Sequence, residues 1–530
     1  MLSWLPGRHT APLVGLASAV VIWVTWGSFS PRPIVQDEVS YVLQSRIFAS
    51  GHWTAPSPPL PEFFQQGQVL TTPAVGSKYA PGHALLMSLG TLIGAPPLVP
   101  LLLSGLTAAL LFAIARRVTN PSVALLAWLI WLSDPIELQL RPGYFSEVTS
   151  GAMWMIALWA LLEWRERRQT RWLLALAAAI GWGAVTRPLT MLAFAVPVGL
   201  IVVRDVARHH RWRDLSFAVA LGSCFVAIIP FWSAMTTGNW RLTPQTLYTR
   251  DYLPYDKPGF GLDSAPPALA LSPVNRFTYV GFRDEHVRHT PANLPSIAFD
   301  RLGAIAHDEW SGPRLVLVPF VVLGLFAMNA SVWFGLACSL ALFAGYLSYG
   351  HWAHWTIYYL EGIPILSVIA ALGVWRVLGW IRARRGDSVS DAVWLGRLAR
   401  PLTITGVALV ILAGYEGAQW RRNHRRTAVW DTAFQELLEK VPVRSAVIFV
   451  HYAPRLGPHL DVVANSPHLF GDSTWIVNDL GPRNAQLLRY AGNRVPLAFY
   501  ERDMHIEVDR QLVATPNDST GHRAGSAEVR

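Results

Sequence analysis

The chain has 530 residues, 52% of them hydrophobic and only 15% charged, where soluble globular proteins carry about 25% charged residues. The apolar excess lies in repeated runs parted by short basic loops. This excludes a soluble domain and a barrel of alternating strands, and leaves a polytopic helical membrane protein. The net charge of +10 would suggest a nucleic-acid partner in a soluble chain, but here the arginines gather at helix ends as membrane anchors, and no nucleic acid is expected.

In chain order, apolar spans begin near residues 11, 97, 121, 147, 171, 188, 214, 313, 331, 356 and 401. Each runs for about 15 to 25 residues, near the length that crosses a hydrocarbon core. Arg8 precedes the first run, but no small-residue cleavage site follows it, so an uncleaved first helix is expected. With the N-terminus in the cytoplasm, the basic groups at Arg116-Arg117, Arg165 to Arg171, Arg204 to Arg213 and Arg382 to Arg385 all fall inside. That alternation requires the short, proline-flanked segment from His83 to Ala95 to be re-entrant or interfacial, for about eleven crossings in total. Arg421-Arg422 and Arg425-Arg426 fall outside, ahead of a translocated domain, where the charge rule is loose.

The predicted organisation is a transmembrane domain over residues 1–419 with outer loops 30–96 and 236–310, and a small extracytoplasmic α/β domain over 420–515. In the latter, Ser445 to His451 and Val495 to Tyr500 read as strands and Pro482 to Tyr490 as a helix between them. Residues 516–530 read as a disordered tail. Cys224 and Cys338 both lie in apolar runs and imply no disulfide framework.

This topology brings a mixed set of polar residues to the outer helix ends: Asp37, Glu38, Lys78, His83, Asp134, Arg141, Tyr144, Glu147, Arg187, His351, His354, Tyr358 and Glu361. Anchoring alone does not need such a mixture. A carboxylate can accept the proton of an attacking hydroxyl, and lysine or arginine can hold a departing phosphate. The set therefore suits group transfer from a lipid-borne phosphate, with Asp37 first among the acids. Other readings stand beside this one. Glu38 either orients Asp37 or faces solvent, and Lys78 is also placed to snorkel at the interface. His83 reads as a helix-start residue, Arg141 and Arg187 as anchors or phosphate ligands, and Glu147 as a helix N-terminal acid. Glu361, inside an apolar run, either bonds within the bundle or touches substrate. His351 and His354 have i, i+3 spacing but no third ligand in reach, so an aromatic and histidine cluster is expected. No metal or other cofactor is supported.

At these residues the chain resembles the GT-C superfamily of membrane glycosyltransferases, and within it the protein O-mannosyltransferase-like (family 39-like) enzymes and the lipid A aminoarabinose transferases. The likeness is carried by Gln36-Asp37-Glu38-Val39-Ser40-Tyr41, Phe48-Ala49-Ser50-Gly51, Lys78-Tyr79-Ala80-Pro81-Gly82-His83, Phe145-Ser146-Glu147 and Thr186-Arg187-Pro188. It covers roughly residues 10 to 205, and the later helices only through Tyr358-Tyr359-Leu360-Glu361-Gly362-Ile363-Pro364. The resemblance implies a mainly α, GT-C-like membrane fold. It also implies an enzyme that moves a monosaccharide from a polyprenyl-phosphate donor to an acceptor hydroxyl at the outer face of the cytoplasmic membrane. Asp37 matches the family's first-loop aspartate, a general base or acceptor-positioning carboxylate, and Glu38 its frequent acidic neighbour. Lys78 matches a basic residue near the phosphate, although Lys78-Tyr79-Ala80-Pro81 stands where the aminoarabinose branch often shows consecutive prolines.

The expected site thus has Asp37 and Glu38 as catalytic acids and Lys78, Arg141 and Arg187 on the donor phosphate. Tyr79, His83, Tyr144, Tyr358 and Glu361 are expected around the substrate. The rival readings are a ligase-like transferase using a pyrophosphate-linked donor, a transporter of lipid-linked sugar, and a catalytically silent scaffold. The acceptor is not specified by any motif.

Overall fold

The structure, a computed structural model, describes residues 9–27, 32–33, 35–261, 263–384, 404, 406–422, 429–441, 443–453, 461–509 and 512. The predicted tail at 516–530 lies outside these residues, as do Arg385, Arg425, Arg426 and the predicted span start at 401.

Helices stand at or within a few residues of most predicted starts among the described residues. α1 (Thr10–Trp26) comes before the predicted outer loop 30–96, whose residues from 35 onward carry more structure than the short helix expected there. The loop contains α2 (Gln36–Ala49), a sheet of three short strands and α3 (Gly82–Leu92). The strands β1 (Ala55–Pro56), β2 (Val69–Leu70) and β3 (Ala74–Ser77) pair antiparallel in the order β1-β3-β2. At about 1.5 Å per residue α3 is too short to cross a bilayer, in keeping with a re-entrant or interfacial helix.

The bundle continues with α4 (Leu98–Val118), α5 (Pro121–Leu132), α6 (Pro135–Leu140), α7 (Glu147–Arg167), α8 (Thr170–Thr186) and α9 (Pro188–His209). Next come α10 (Trp212–Val226) and α11 (Ile228–Thr237), which together make one apolar stretch. The local chemistry of these starts is consistent. Asn120 Oδ1 accepts from the amides of Ser122 and Val123 ahead of Pro121, and Asp134 accepts from Ile136 ahead of Pro135.

Residues 236–310, expected as a polar loop, fold instead into α12 (Pro244–Tyr252), α13 (Pro273–Arg288) and α14 (Leu294–Trp310). α12 and α13 open on Thr243-Pro244 and Ser272-Pro273, caps whose hydroxyls bond the amides of Thr246 and Asn275. Their low hydropathy hid them from a reading tuned to apolar spans. α15 (Val318–Leu325) and α16 (Ala330–Tyr346) follow, and the pair formed by Gly312–Leu325 and Ala330–Tyr346 is bent by 119°. α17 (Pro364–Arg384) starts eight residues beyond the predicted 356, because Thr356–Tyr359 form a 3-10 turn. α18 spans 406–422. Among the described residues, α4, α9, α10–α11 and α17 are each long and apolar enough to cross a membrane, and the bent pair qualifies when taken together.

The last region carries α19 (Val429–Lys440), β4 (Ala446–His451), β5 (Thr474–Asn478), α20 (Asn484–Leu488), β6 (Val495–Tyr500) and β7 (His505–Val508). The strand order is β5-β4-β6-β7, with only β7 antiparallel. This small α/β unit is not isolated. Phe63 and Phe64, from the segment between β1 and β2, share its core with Val447, Phe449, Trp475 and Val477. Asn478, fully buried, donates its side-chain amide to the carbonyls of Phe63 (3.2 Å) and Gln65 (2.8 Å).

The two ends of the bundle differ chemically. At one end Arg117 pairs with Glu163 and Glu166, Arg165 and Arg168 with Asp205, and Arg211 with Asp214. These join the end of α4 to the ends of α7 and α9 and the start of α10. The opposite end holds the starts of α2, α3, α7 and α9, and there the remaining polar residues collect.

Candidate active site

Three attachments position the N-terminal turn of α2. Gln44 accepts the Ser77 amide (3.0 Å) and so brings the end of β3, and Lys78 after it, alongside Asp37. The Tyr41 hydroxyl donates to Ser146 Oγ (3.0 Å), and its ring stacks on Tyr79 (centroids 4.9 Å). Gly67 lies flush on Gln36, where a Cβ would stand 2.1 Å from the Gln36 side-chain oxygen. The same Gly67 amide donates to Asp461 (2.9 Å), so the C-terminal unit buttresses the residue that precedes Asp37.

Asp37 is half-buried and accepts a hydrogen bond from the Tyr79 hydroxyl on Oδ1, while Oδ2 has no partner among the described residues. Burial and the Asp37 charge push the Tyr79 hydroxyl well above its ordinary pKa, so it stays a donor. Glu38 behaves differently. Its carboxylate is buried and accepts from two backbone amides, Val35 on Oε2 (3.2 Å) and Tyr144 on Oε1 (2.8 Å). Glu38 thereby ties α2 to the loop ahead of α7.

Lys78 is buried, with Nζ 3.2 Å from Asp256 Oδ2 and over the rings of Tyr248 (4.9 Å) and Tyr79 (5.1 Å). The other Asp256 oxygen accepts from the Tyr349 hydroxyl. Burial would raise the Asp256 carboxyl, but Lys78 and Tyr349 outweigh it and hold the group below the usual carboxylate range.

Arg187 closes α8 and opens α9, with Pro188 next. Its guanidinium bonds Glu147 at the start of α7, the Tyr346 hydroxyl (2.9 Å) and, through Nε, Glu361 Oε1 (3.3 Å). It also lies 5.6 Å from the Tyr358 ring centroid. Glu147 thus serves Arg187 with its side chain, beyond its place at a helix N-terminus. Glu361 sits in the turn before α17, not within an apolar helix, and Ser150 donates to it. Burial pushes its carboxyl up to about 7, against the pull of Arg187.

Three expected site residues are buried in contacts of their own. His83 is fully buried: Nε2 donates to the Tyr144 carbonyl (2.8 Å) and Nδ1 accepts from Thr149 (2.8 Å). Both nitrogens are engaged in the neutral form, and burial pushes its pKa down to about 4. Tyr144 is buried edge-on against Trp26 (5.2 Å) and contributes its peptide group as a junction for Glu38 and His83. Arg141 belongs to a separate buried cluster, paired with Glu137 and stacked on Trp131 (5.0 Å), near the Arg314–Asp134 pair (3.5 Å). His351 and His354 do not converge, since both His351 nitrogens are engaged by Trp352 and Tyr359 and His354 is exposed.

Tyr79, Tyr358 and Glu361 do join Asp37, Lys78 and Arg187. The reading of the chain missed Asp256, Tyr346 and Tyr349. Asp256 lies in a polar stretch with no periodic signal. The two tyrosines flank the His351 aromatic cluster, which was the only hint of their role.

Residues 78–233 match the family model described as dolichyl-phosphate-mannose-protein mannosyltransferase. No curated protein gives a significant match to the chain. Among solved structures, ArnT from Cupriavidus metallidurans bound to undecaprenyl phosphate aligns over 93% of both chains, with 16% identity and a TM-score of 0.52. ArnT from the same organism in the apo state aligns over 92% of both, with 16% identity and a TM-score of 0.53. At this identity the likeness is one of fold. The mostly helical fold expected is the fold shared with ArnT, and the family match starts at Lys78, within the stretch from about residue 10 to 205 that carries the resemblance.

Proposed function

We propose that this protein is a glycosyltransferase that moves a monosaccharide from a polyprenyl-phosphate-linked donor to an acceptor hydroxyl. We place its site at the outer face of the cytoplasmic membrane. The observation that carries the reading is Asp37. It is half-buried, fixed through one oxygen by Tyr79 and free at the other among the described residues; the same Tyr79 ring lies 5.1 Å from the buried Lys78 ammonium, and Tyr41, stacked on Tyr79, meets the half-buried Arg187 at Ser146. A carboxylate held this way suits a general base, and the cations suit a leaving phosphate.

In the reaction, the acceptor oxygen attacks the anomeric carbon and its proton passes to Asp37 Oδ2. The bond from the anomeric carbon to the phosphate oxygen breaks, and polyprenyl phosphate departs with the electron pair. Configuration inverts because the displacement is direct. Lys78 and Arg187 take up the charge of the leaving phosphate, and Glu147, Glu361 and Tyr346 fix the Arg187 fork. Glu38, His83 and Tyr144 act as positioning residues, and Arg141 is left to its Glu137 pair.

Two further points support a lipid-borne donor. The neighbour of like fold is bound to undecaprenyl phosphate. In this chain an apolar cavity of about 580 Å³ runs between α8, α9 and α10, lined by residues such as Ile180, Ala184, Val198 and Val226. Ala184 is three residues before Arg187, about one helical turn, so a lipid tail in the groove would bring its headgroup towards the guanidinium.

The test is transfer by the purified protein in lipid from a panel of labelled polyprenyl-phosphate sugars to candidate acceptors. Transfer from at least one donor, abolished in Asp37→Asn, is expected. No transfer from any donor, or full transfer by Asp37→Asn, would sink the mechanism.

A further inference from the structure

Each cation of the site carries its own internal anion. Arg187 has two carboxylates, Glu147 and Glu361. Lys78 has one, Asp256, and no other carboxylate among the described residues pairs with it. The ammonium occupies a buried position over the rings of Tyr79 and Tyr248. An anion brought to Lys78 must therefore share that position with Asp256. Two negative groups at one buried ammonium repel each other strongly, because the surroundings screen poorly.

Asp256 is held in turn by a strap. The Tyr349 hydroxyl donates to Oδ1, the Gly259 amide donates to the Ser348 carbonyl (2.7 Å), and the Gly261 amide to the His289 carbonyl (2.7 Å). Gly259 (φ 134°) and Gly261 (φ 82°) take backbone conformations that other residues rarely adopt, which lets the strap lie flat on the 348–349 segment. Three residues earlier that segment carries Tyr346, the hydroxyl partner of Arg187.

We infer that Asp256 is a built-in competitor for the donor phosphate at Lys78, and that the strap carrying it sets donor affinity. This rests on the function proposed above. Asp256 stays tethered, so a bound phosphate adds its own charge beside the carboxylate and must take over the ammonium against that repulsion. The competition excludes weak or misplaced anions, since only a ligand anchored elsewhere as well can displace a tethered carboxylate.

The experiment is titration of the full chain in nanodiscs with undecaprenyl phosphate, with inorganic phosphate as a headgroup-only probe. Asp256→Asn keeps the shape and removes the charge, and it should bind undecaprenyl phosphate about tenfold tighter. Tyr349→Phe loosens Asp256 without touching Lys78, and a gain of about threefold is expected from the loss of one hydrogen bond. In a Lys78→Met background the Asp256→Asn gain should shrink, because no cation is left to compete for and only the direct repulsion remains. Equal or weaker binding by Asp256→Asn, or the same gain with Lys78→Met, overturns the inference and leaves the proposed function intact. If the native chain binds no undecaprenyl phosphate and transfers no sugar, the proposed function falls and takes the inference with it.

Discussion

Glu38→Gln and Asp37→Asn are nearly isosteric changes at adjacent residues, and they should have opposite consequences. Glu38 accepts two backbone N–H groups, from Val35 and Tyr144, and bonds of this charge-assisted kind are each worth about 1.5–3 kcal/mol. A glutamine can accept one of them through its oxygen. Its NH2 then faces the other amide, donor against donor, in a place only 4% exposed. The expected cost of Glu38→Gln is therefore about 2–3 kcal/mol, seen as a lower midpoint of thermal unfolding in detergent followed by tryptophan fluorescence. Transfer activity should fall only modestly in the fraction that stays folded. Asp37→Asn keeps an oxygen for the Tyr79 hydroxyl and leaves the other position half-exposed, so its midpoint should move little. Its transfer rate should fall by about 10²- to 10⁴-fold, the usual worth of a positioned base. An Asp37→Asn protein as destabilised as Glu38→Gln, or a Glu38→Gln protein with unchanged midpoint and abolished transfer, would refute the division of roles.

Three other outcomes are expected. Arg187→Lys cannot reach Glu147, Glu361 and Tyr346 with one nitrogen and leaves a buried carboxylate unpaired, so kcat/KM should fall about 10- to 100-fold with the protein still folded. His83 has an ordinary pKa of 6.5 and about 4 in the fold. Between those values the unfolded chain binds a proton that the folded chain does not, so its contribution is kept above about pH 6.5 and lost as pH falls to about 4. That loss amounts to about 3 kcal/mol, and the native protein should lose stability over this window more steeply than His83→Gln in pH-resolved unfolding. Asn478→Ala leaves the Phe63 and Gln65 carbonyls without their donor, at about 1–3 kcal/mol. Limited proteolysis should then cut the 61–68 segment faster, and transfer should fall because that segment backs Gln36.

Much of the fold was legible because membrane insertion writes itself in composition. Apolar runs of bilayer length marked where helices begin, and arginines marked one end of the bundle, where Arg117, Arg165 and Arg211 are found together. Short polar helices such as α12 and α13 escaped, since their stability comes from caps and tertiary contacts and not from an apolar stripe.

The candidate site was legible only as a set of residue types at one end. Asp37, Lys78 and Arg187 could be chosen because a charge at a membrane helix end needs a reason to be there. What the chain alone determined was a helical membrane architecture, the gathering of polar groups at helix ends and the candidacy of Asp37. Packing determined the rest. It turned Glu38, His83 and Tyr144 inward as a frame, withdrew Arg141 into a separate ion pair, and brought Asp256 from 178 residues away to Lys78. Hydropathy and charge pattern are properties of neighbours along the chain, whereas an ion pair or a free carboxylate oxygen depends on which distant groups share a buried space. Only the folded arrangement sets that.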